Sequence, residues 1–402
     1  MNILFLTNLL PYPLDNGGKI KSYTTLQALK NDGHHIDLAS FKETMNDMLE
    51  YESEILKVCR NVRQIYQRLT TAENKSYMMR LLFKSLILPL SFNTYKYQSK
   101  EMLKYLTGLR EKYTYDCVYF DHLPMCVYLR AAKKLWPKAK FILDEHNCEA
   151  LIMKRNAENT GSFVKKALLS LEAKKLTVFE RTALQSVDRT IVLSSADYTA
   201  LKELAGRDFP HMIIPIGVQD RGIRKERNNT ELHILFIGTL TWEPNNQGLI
   251  WFLKEVVPLL KESAFDYKLY IVGKNPSDEV KNLTSDHPNM IVTGYVEAVD
   301  EYYDTCDCTI VPLFIGSGQR VKLIEAFSKG MPAVSTTIGA EGLHYEKGED
   351  ILIADTAEDF CKAIIKMRDP VIRDKIKLKS RRIYEKFYSP GAVTNMLVEA
   401  IK

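Results

Sequence analysis

Short apolar runs of strand length alternate with longer amphipathic segments along most of this chain. That alternation limits its fold more than any other feature. Ile3–Leu6, Ile36–Phe41, Cys117–Phe120, Phe141–Asp144 and Thr190–Ser194 are each four to six residues long and largely apolar. Runs that short, with helix-period segments between them, are the signature of parallel strands joined by helical crossovers. The pattern pauses after Ile213–Val218, where Gln219–Glu231 is charged and poor in apolar residues, as an interdomain linker would be. A second series follows: strands at His233–Gly238, Tyr267–Gly273, Met290–Gly294, Cys308–Pro312 and Pro332–Thr336, with helices at Asn246–Lys261 and Val321–Lys329. Two helical segments, 369–388 and 391–402, close the chain around Ser389-Pro390. The 402 residues suit two domains of comparable size. The expectation is α/β, with two doubly wound domains whose ligand sites lie at the carboxyl ends of the strands.

Composition removes several function classes. Lys and Arg number 55 against 50 Asp and Glu, a surplus too mild for a nucleic-acid-binding protein. No apolar stretch is long enough to span a bilayer. The N-terminal Met1–Asn8 runs straight into a strand pattern without the features of a signal peptide, so a cytoplasmic protein is expected. The seven cysteines are scattered and mostly within apolar runs, which suits buried thiols in a reducing compartment. Cys306 and Cys308 lack a second Cys/His pair, so no metal site is expected there.

Two glycine loops carry the chemistry. The first, Pro11–Lys19, places Gly17-Gly18 at a strand-to-helix junction, where bare amides and a helix N-terminus favour an anion. A plain turn needing positive φ is the competing reading. The loop matches neither a dinucleotide fingerprint nor a P-loop. The second loop, Gly316-Ser317-Gly318-Gln319-Arg320-Val321-Lys322, follows a strand and opens a helix. Arg suits a phosphate bidentately and Lys acts as a point charge. Glu325, a turn further on, is placed to accept hydrogen bonds from ribose hydroxyls. Glycines, two cations and a diol-binding acid together describe a nucleoside diphosphate site.

That second loop, continued through Phe327–Thr336, resembles the donor-site signature of family-4 retaining glycosyltransferases, of the glycosyl transferases group 1 type. Further motifs run in order along residues 1–400: Gly17-Gly18 followed by Gly33-His34, Asp144–Glu149 as a central histidine motif, Pro215–Val218, Phe236–Leu240 with Gly238, and Gly294-Tyr295-Val296. The resemblance implies a GT-B fold of two Rossmann-like domains facing a central cleft. Residues 1–217 would bind the acceptor and 218–380 the nucleotide-sugar, with helix 381–402 packing back on the first domain. It implies that Arg320 and Lys322 hold the diphosphate and Glu325 the ribose. Gly238, Val296, Gly316, Ser317, Gly318 and Gln319 would line the donor site, with Gly17, Gly18 and His146 near the donor sugar. No metal or other cofactor is implied, and UDP is the commonest nucleotide in such donors. The acceptor would be a glycan or a lipid- or protein-linked group, in polysaccharide or glycoconjugate synthesis. Retention would follow from same-face attack, the leaving phosphate taking the acceptor's proton.

Two departures stand out. The first of the family's paired glutamates is Ser317 here, eight residues before Glu325. The Arg and Lys usual after the strand at Phe236–Gly238 are replaced by Thr239–Asn245, so Arg320 and Lys322 must supply most of the positive charge. Asp121 and His122, after another strand, are expected near the same centre, as ligand contacts or loop supports. Ser194 and Ser195 read first as helix caps.

Residues 51–100 hold nine Lys/Arg against three Asp/Glu, more than the whole chain's surplus. With the run Met78–Leu90 this segment suggests either peripheral contact with an anionic membrane or helices packed on the first domain. A non-catalytic GT-B-like partner subunit, a phosphorylase and a nucleotide-sugar epimerase are the alternatives to a transferase.

Overall fold

In the computed structural model the chain divides into two units, Met1–Ile216 with Val393–Lys402, and Gly217–Ala392. The structure describes residues 1–43, 49–69, 89–224, 231–315 and 318–402. Gly316, Ser317, most of the run 78–90 and part of the linker 219–231 lie outside them.

The first unit is built on seven parallel strands: β1 (Asn2–Thr7), β2 (His35–Lys42), β3 (Asn61–Tyr66), β4 (Cys117–Asp121), β5 (Lys140–Glu145), β6 (Arg189–Val192) and β7 (His211–Ile213). They lie in the order β3-β2-β1-β4-β5-β6-β7. The chain direction across the sheet therefore reverses between β1 and β4. The carboxyl ends there are the natural ligand position of a doubly wound sheet. Register sets Thr7 beside Asp121 and Asp121 beside Asp144, so three polar residues end adjacent strands together. Behind them the period of two sorts the core: Ile3, Phe5, Cys117 and Tyr119 pack on one face, Leu4, Leu6, Val118 and Phe120 on the other. Helices α1 (Gly17–Asn31), α2 (Leu129–Leu135), α3 (Glu149–Glu158) and α4 (Phe163–Leu184) are among those covering the sheet.

The second unit has six parallel strands, β8 (Leu232–Ile237), β9 (Tyr267–Val272), β10 (Met290–Gly294), β11 (Cys308–Val311), β12 (Ala333–Ser335) and β13 (Leu352–Ile353), ordered β10-β9-β8-β11-β12-β13. Its reversal falls between β8 and β11, and helix α5 (Val321–Lys329) begins just past β11. Two glycines let backbones meet here. A Cβ on Gly273 would lie 1.9 Å from the Gly238 carbonyl oxygen, and one on Gly248 would lie 2.1 Å from that of Pro312.

The closing segment differs from expectation. Only Val393–Lys402 joins the first unit, where α6 (Pro390–Ile401) buries Val393, Leu397, Ala400 and Ile401. Residues 381–392 stay with the second unit because their tyrosines are tied there. Tyr384 donates to the Val218 carbonyl at 2.9 Å, and the Tyr388 hydroxyl accepts from the His344 amide at 2.7 Å. Strand β3 was not expected from the sequence. Arg63 and Gln64 interrupt its apolar pattern, and only Ile65 in it is fully buried. All seven cysteines are buried and none forms a disulfide. Among the described residues no helix is long and apolar enough to cross a membrane.

Candidate functional site

In the first unit the tips of β1, β4 and β5 meet the start of α1. Asn16 caps α1, its side chain accepting from the Lys19 amide at 3.0 Å, which leaves the first-turn amides of Gly17 and Gly18 beyond the helix's own hydrogen bonding. Neither glycine has a positive φ, so a turn requirement does not explain them. A Cβ on Gly18 would sit 3.6 Å from the His122 ring, so the backbone there is bare toward that histidine. The two lysines beside this loop are both engaged. Lys19 pairs with Asp15 at 3.1 Å on the surface, while Lys21 is buried against Asp144.

Asp121 is the hub. One carboxylate oxygen accepts from the hydroxyls of Thr7 at 2.6 Å and Ser22 at 2.7 Å, and the other meets His146 Nε2 at 2.9 Å. Burial alone would raise its pKa, but His122 and His146 beside it, with these hydrogen bonds, hold the carboxyl below its ordinary value. His146 is pushed down to about 3, chiefly by burial and then by His122 and Lys21. It is thus neutral at physiological pH. With Nε2–H given to Asp121, its Nδ1 is an acceptor. The His122 ring lies 3.6 Å from that of His146, centre to centre. His122 itself holds φ at 74°, costly for a residue with a Cβ, and its amide is tied to the Asp144 carbonyl at 3.1 Å. Burial pushes Lys21 down to about 7 against the pull of Asp121 and Glu145. Glu145 is buried with no hydrogen-bond partner among the described residues, and burial raises its carboxyl well above the usual range.

Asp121, His122 and His146 are also the one set among the described residues whose ligand atoms, within 4.8 Å of one another, could hold a metal ion. The chemistry of the set fits poorly. Asp121 already accepts three hydrogen bonds, and the buried Lys21 ammonium would repel a cation. A cleft of about 350 Å³ opens beside the Gly17 loop, lined by Tyr12, Pro13, Lys19, Phe41 and Tyr51 among others. Tyr12 and Tyr51 meet edge to face at 5.5 Å.

In the second unit the predicted residues gather past β11 and β8. Gly318 has φ 78°, the conformation glycine alone adopts without cost, and Gln319 donates to the Gly342 carbonyl at 2.8 Å. Arg320 stands at the N-cap of α5, buried, with its guanidinium 5.8 Å over the Trp242 ring. Lys322 donates to Asn245 Oδ1 at 2.8 Å and lies 5.2 Å from the Phe236 ring. Burial, and then Arg320, push it down to about 7, opposed by Glu325. Glu325 accepts from Arg221 at 2.8 Å and from the Tyr303 hydroxyl at 3.3 Å, and burial raises its carboxyl. Two of its four lone-pair positions remain for a further donor. Gly238 abuts Asn245, whose Nδ2 would lie 2.6 Å from a Cβ there. Val296 is half-buried against the cluster of Leu235, Val272, Tyr303, Cys306, Ala326 and Met331.

Sequence reasoning missed Thr7 and Ser22 in the first unit, and Arg221, Trp242 and Asn245 in the second. The polar residue ending each strand was a usable signal in the first. Arg221 was hidden in the linker. Trp242 and Asn245 stood in the loop judged by the cations it lacks, yet they touch Arg320 and Lys322. Ser194 is a helix cap, accepting from the Asp197 amide at 3.1 Å.

Residues 231–369 match the family model of glycosyl transferases group 1. Solved structures extend the likeness over both units. Sucrose-phosphate synthase of Thermosynechococcus elongatus matches with TM-score 0.72 at 15% identity, over 99% of this chain and 98% of its own. Anabaena HepE in complex with UDP-glucose gives 0.65 at 13%, over 99% and 98%. An S. aureus TarM variant in complex with fondaparinux, alpha-GlcNAc-glycerol and UDP gives 0.67 at 12%, over 100% and 99%. The fold is GT-B. A relative in the cps region of Klebsiella pneumoniae, an uncharacterised 44.6 kDa protein, is 28% identical over 363 residues, 88% of each chain. The family match and the shared fold together support a glycosyltransferase.

Proposed function

We propose that this GT-B protein is a metal-independent, retaining glycosyltransferase of family 4. It would move a sugar from a nucleoside diphosphate donor, UDP-sugar first among candidates, to a glycan or a lipid- or protein-linked acceptor. The observation that carries the reading is the start of α5. Arg320 and Lys322 stand two residues apart, at the N-cap and in the first turn, with a half-buried carboxylate, Glu325, one turn further on. Breaking a sugar–phosphate bond builds positive charge at the anomeric carbon and negative charge on the departing diphosphate. Fixed cations at a helix N-terminus stabilise the latter without reorganising. Glu325, already oriented by Arg221 and Tyr303, takes the ribose hydroxyls. Neighbours of the same fold hold UDP-glucose or UDP, which favours this class of donor.

In the first unit, Asp121 fixes the neutral His146 so that Nδ1 accepts from a sugar hydroxyl, which suits positioning better than proton removal. The aromatic cleft beside Tyr12 and Tyr51 takes the acceptor. Retention then needs no carboxylate pair of the glycosidase kind.

The test is a panel of UDP-, GDP- and dTDP-sugars, followed by donor hydrolysis and transfer, with Arg320→Ala and Glu325→Ala as controls. Turnover with one donor, lost in Arg320→Ala and unchanged by EDTA, supports the proposal. Product NMR reads the anomeric configuration. Turnover that needs a divalent cation, or an inverted product, overturns the corresponding part. No binding of any nucleotide overturns the whole.

A further inference from the structure

Helix α4 carries apolar side chains on both of its faces. One face is core: Ala173, Leu176, Ala183 and Leu184 are buried. The opposite face should be polar in a helix that only covers a sheet. Instead Phe163 is 86% exposed, Val164 68%, Val178 62% and Leu171 37%. With Ala167 they repeat at helical spacing and form one stripe about 22 Å long. Ser162 caps the helix, so the exposed pair Phe163-Val164 stands at an ordered tip rather than in a frayed end.

Cations surround this stripe. From Lys154 to Arg181 six lysines and arginines are exposed, namely Lys154, Arg155, Lys165, Lys166, Lys174 and Arg181. Glu158 is the single exposed carboxylate in the same stretch, because Glu172 and Glu180 are turned inward. Next to the stripe, a groove of about 430 Å³ runs between α2 and α4. Leu129 and Phe179 line it with the cations Arg130, Lys133 and Lys134. No acidic residue occurs between His122 and Leu143.

We propose that this face of the first unit, the α4 stripe with the α2–α4 groove, docks on an anionic phospholipid surface. Charge complementarity selects that occupant. An apolar ridge flanked by cations places its side chains at the acyl boundary while the ammonium and guanidinium groups meet lipid phosphates. Of the nine basic residues of 51–100, Arg60 is committed to Asp37, with contacts of 2.9 and 2.5 Å. The inference does not depend on the sugar-transfer reading, since vesicle binding is read without donor or acceptor.

The experiment is co-flotation of the full chain with phosphatidylcholine vesicles and with phosphatidylcholine–phosphatidylglycerol vesicles. Binding is expected to the anionic vesicles alone and to fall with added salt. Phe163→Ser with Val164→Ser, and separately Arg130→Glu with Lys134→Glu, should each lower partitioning at least about tenfold. All four side chains face solvent or the groove rim, so far-UV circular dichroism and the melting temperature should hold. Three results overturn the proposal: no co-flotation of the wild type, co-flotation unchanged in both double variants, or a dimer of the wild type that Phe163→Ser with Val164→Ser makes monomeric. The last would assign the stripe to a second copy of the chain.

Discussion

Lys322 offers the sharpest test of the donor site, because its ammonium is packed among protein groups before any ligand arrives. Burial and Arg320 bring it down to about 7 from 10.5. At pH 8 about nine-tenths of the free protein therefore carries a neutral amine at this position. A diphosphate needs the charged form and draws a proton in on binding. Calorimetry of UDP binding at pH 8, repeated in buffers of different ionisation enthalpy, should report uptake of about 0.9 proton. The terminal phosphate is itself ionised by then, its second pKa being about 6, so it adds little. Affinity should fall nearly tenfold per pH unit above 7, until the pKa of the complex is reached. Lys322→Met should abolish the uptake and weaken binding by ~1.5–3 kcal/mol, the usual worth of a charged hydrogen bond. Stability should move the other way. A base whose folded pKa lies below its unfolded one leaves the unfolded chain with more protons between pH 7 and 10.5. Stability therefore rises with pH across that window, by roughly 1 kcal/mol per unit from this group, and Lys322→Met should flatten the rise. Uptake near zero at pH 8 in the wild type, or equal uptake in Lys322→Met, would refute the reasoning.

His146→Ala should lower transfer about 100-fold or more while changing UDP affinity less than about twofold, since His146 belongs to the strand-tip centre of the first unit. With its pKa near 3, His146 should also place no break near pH 6.5 in the rate profile. Arg60→Ala leaves the buried Asp37 with only Tyr115 and Asn61 as side-chain partners. It should cost about 2 kcal/mol by chemical denaturation at pH 7. Because that carboxyl lies below its ordinary value in the fold, the cost should shrink as pH drops through its folded pKa. Gly273→Ala forces a Cβ to within 1.9 Å of the Gly238 carbonyl and should lower the melting temperature by at least several degrees. An unchanged melt would mean the β8 and β9 loops separate more easily than their packing suggests.

Much of the fold was legible because its signals are local. A strand buried on both faces must be a short apolar run, and the helix between two parallel strands must be long. The sequence therefore marked nearly every central strand. It missed β3, an edge strand with polar interruptions, and the short strands β7 and β13, of three and two residues at sheet edges, because none of them needs the central pattern. It also placed Arg320, Lys322 and Glu325 on one helix start, since that spacing is covalent.

What surrounds those residues was decided only by tertiary structure. Arg221 reaches Glu325 across 104 positions, and Thr7 reaches Asp121 across 114. The neutral state of His146 and the lowered pKa of Lys322 come from burial among groups distant in sequence. Burial is a property of the packed fold that no local pattern carries. The solvent-facing stripe of α4 is the converse case. Its apolar residues lie on both faces, and only the packed structure shows which of them face out.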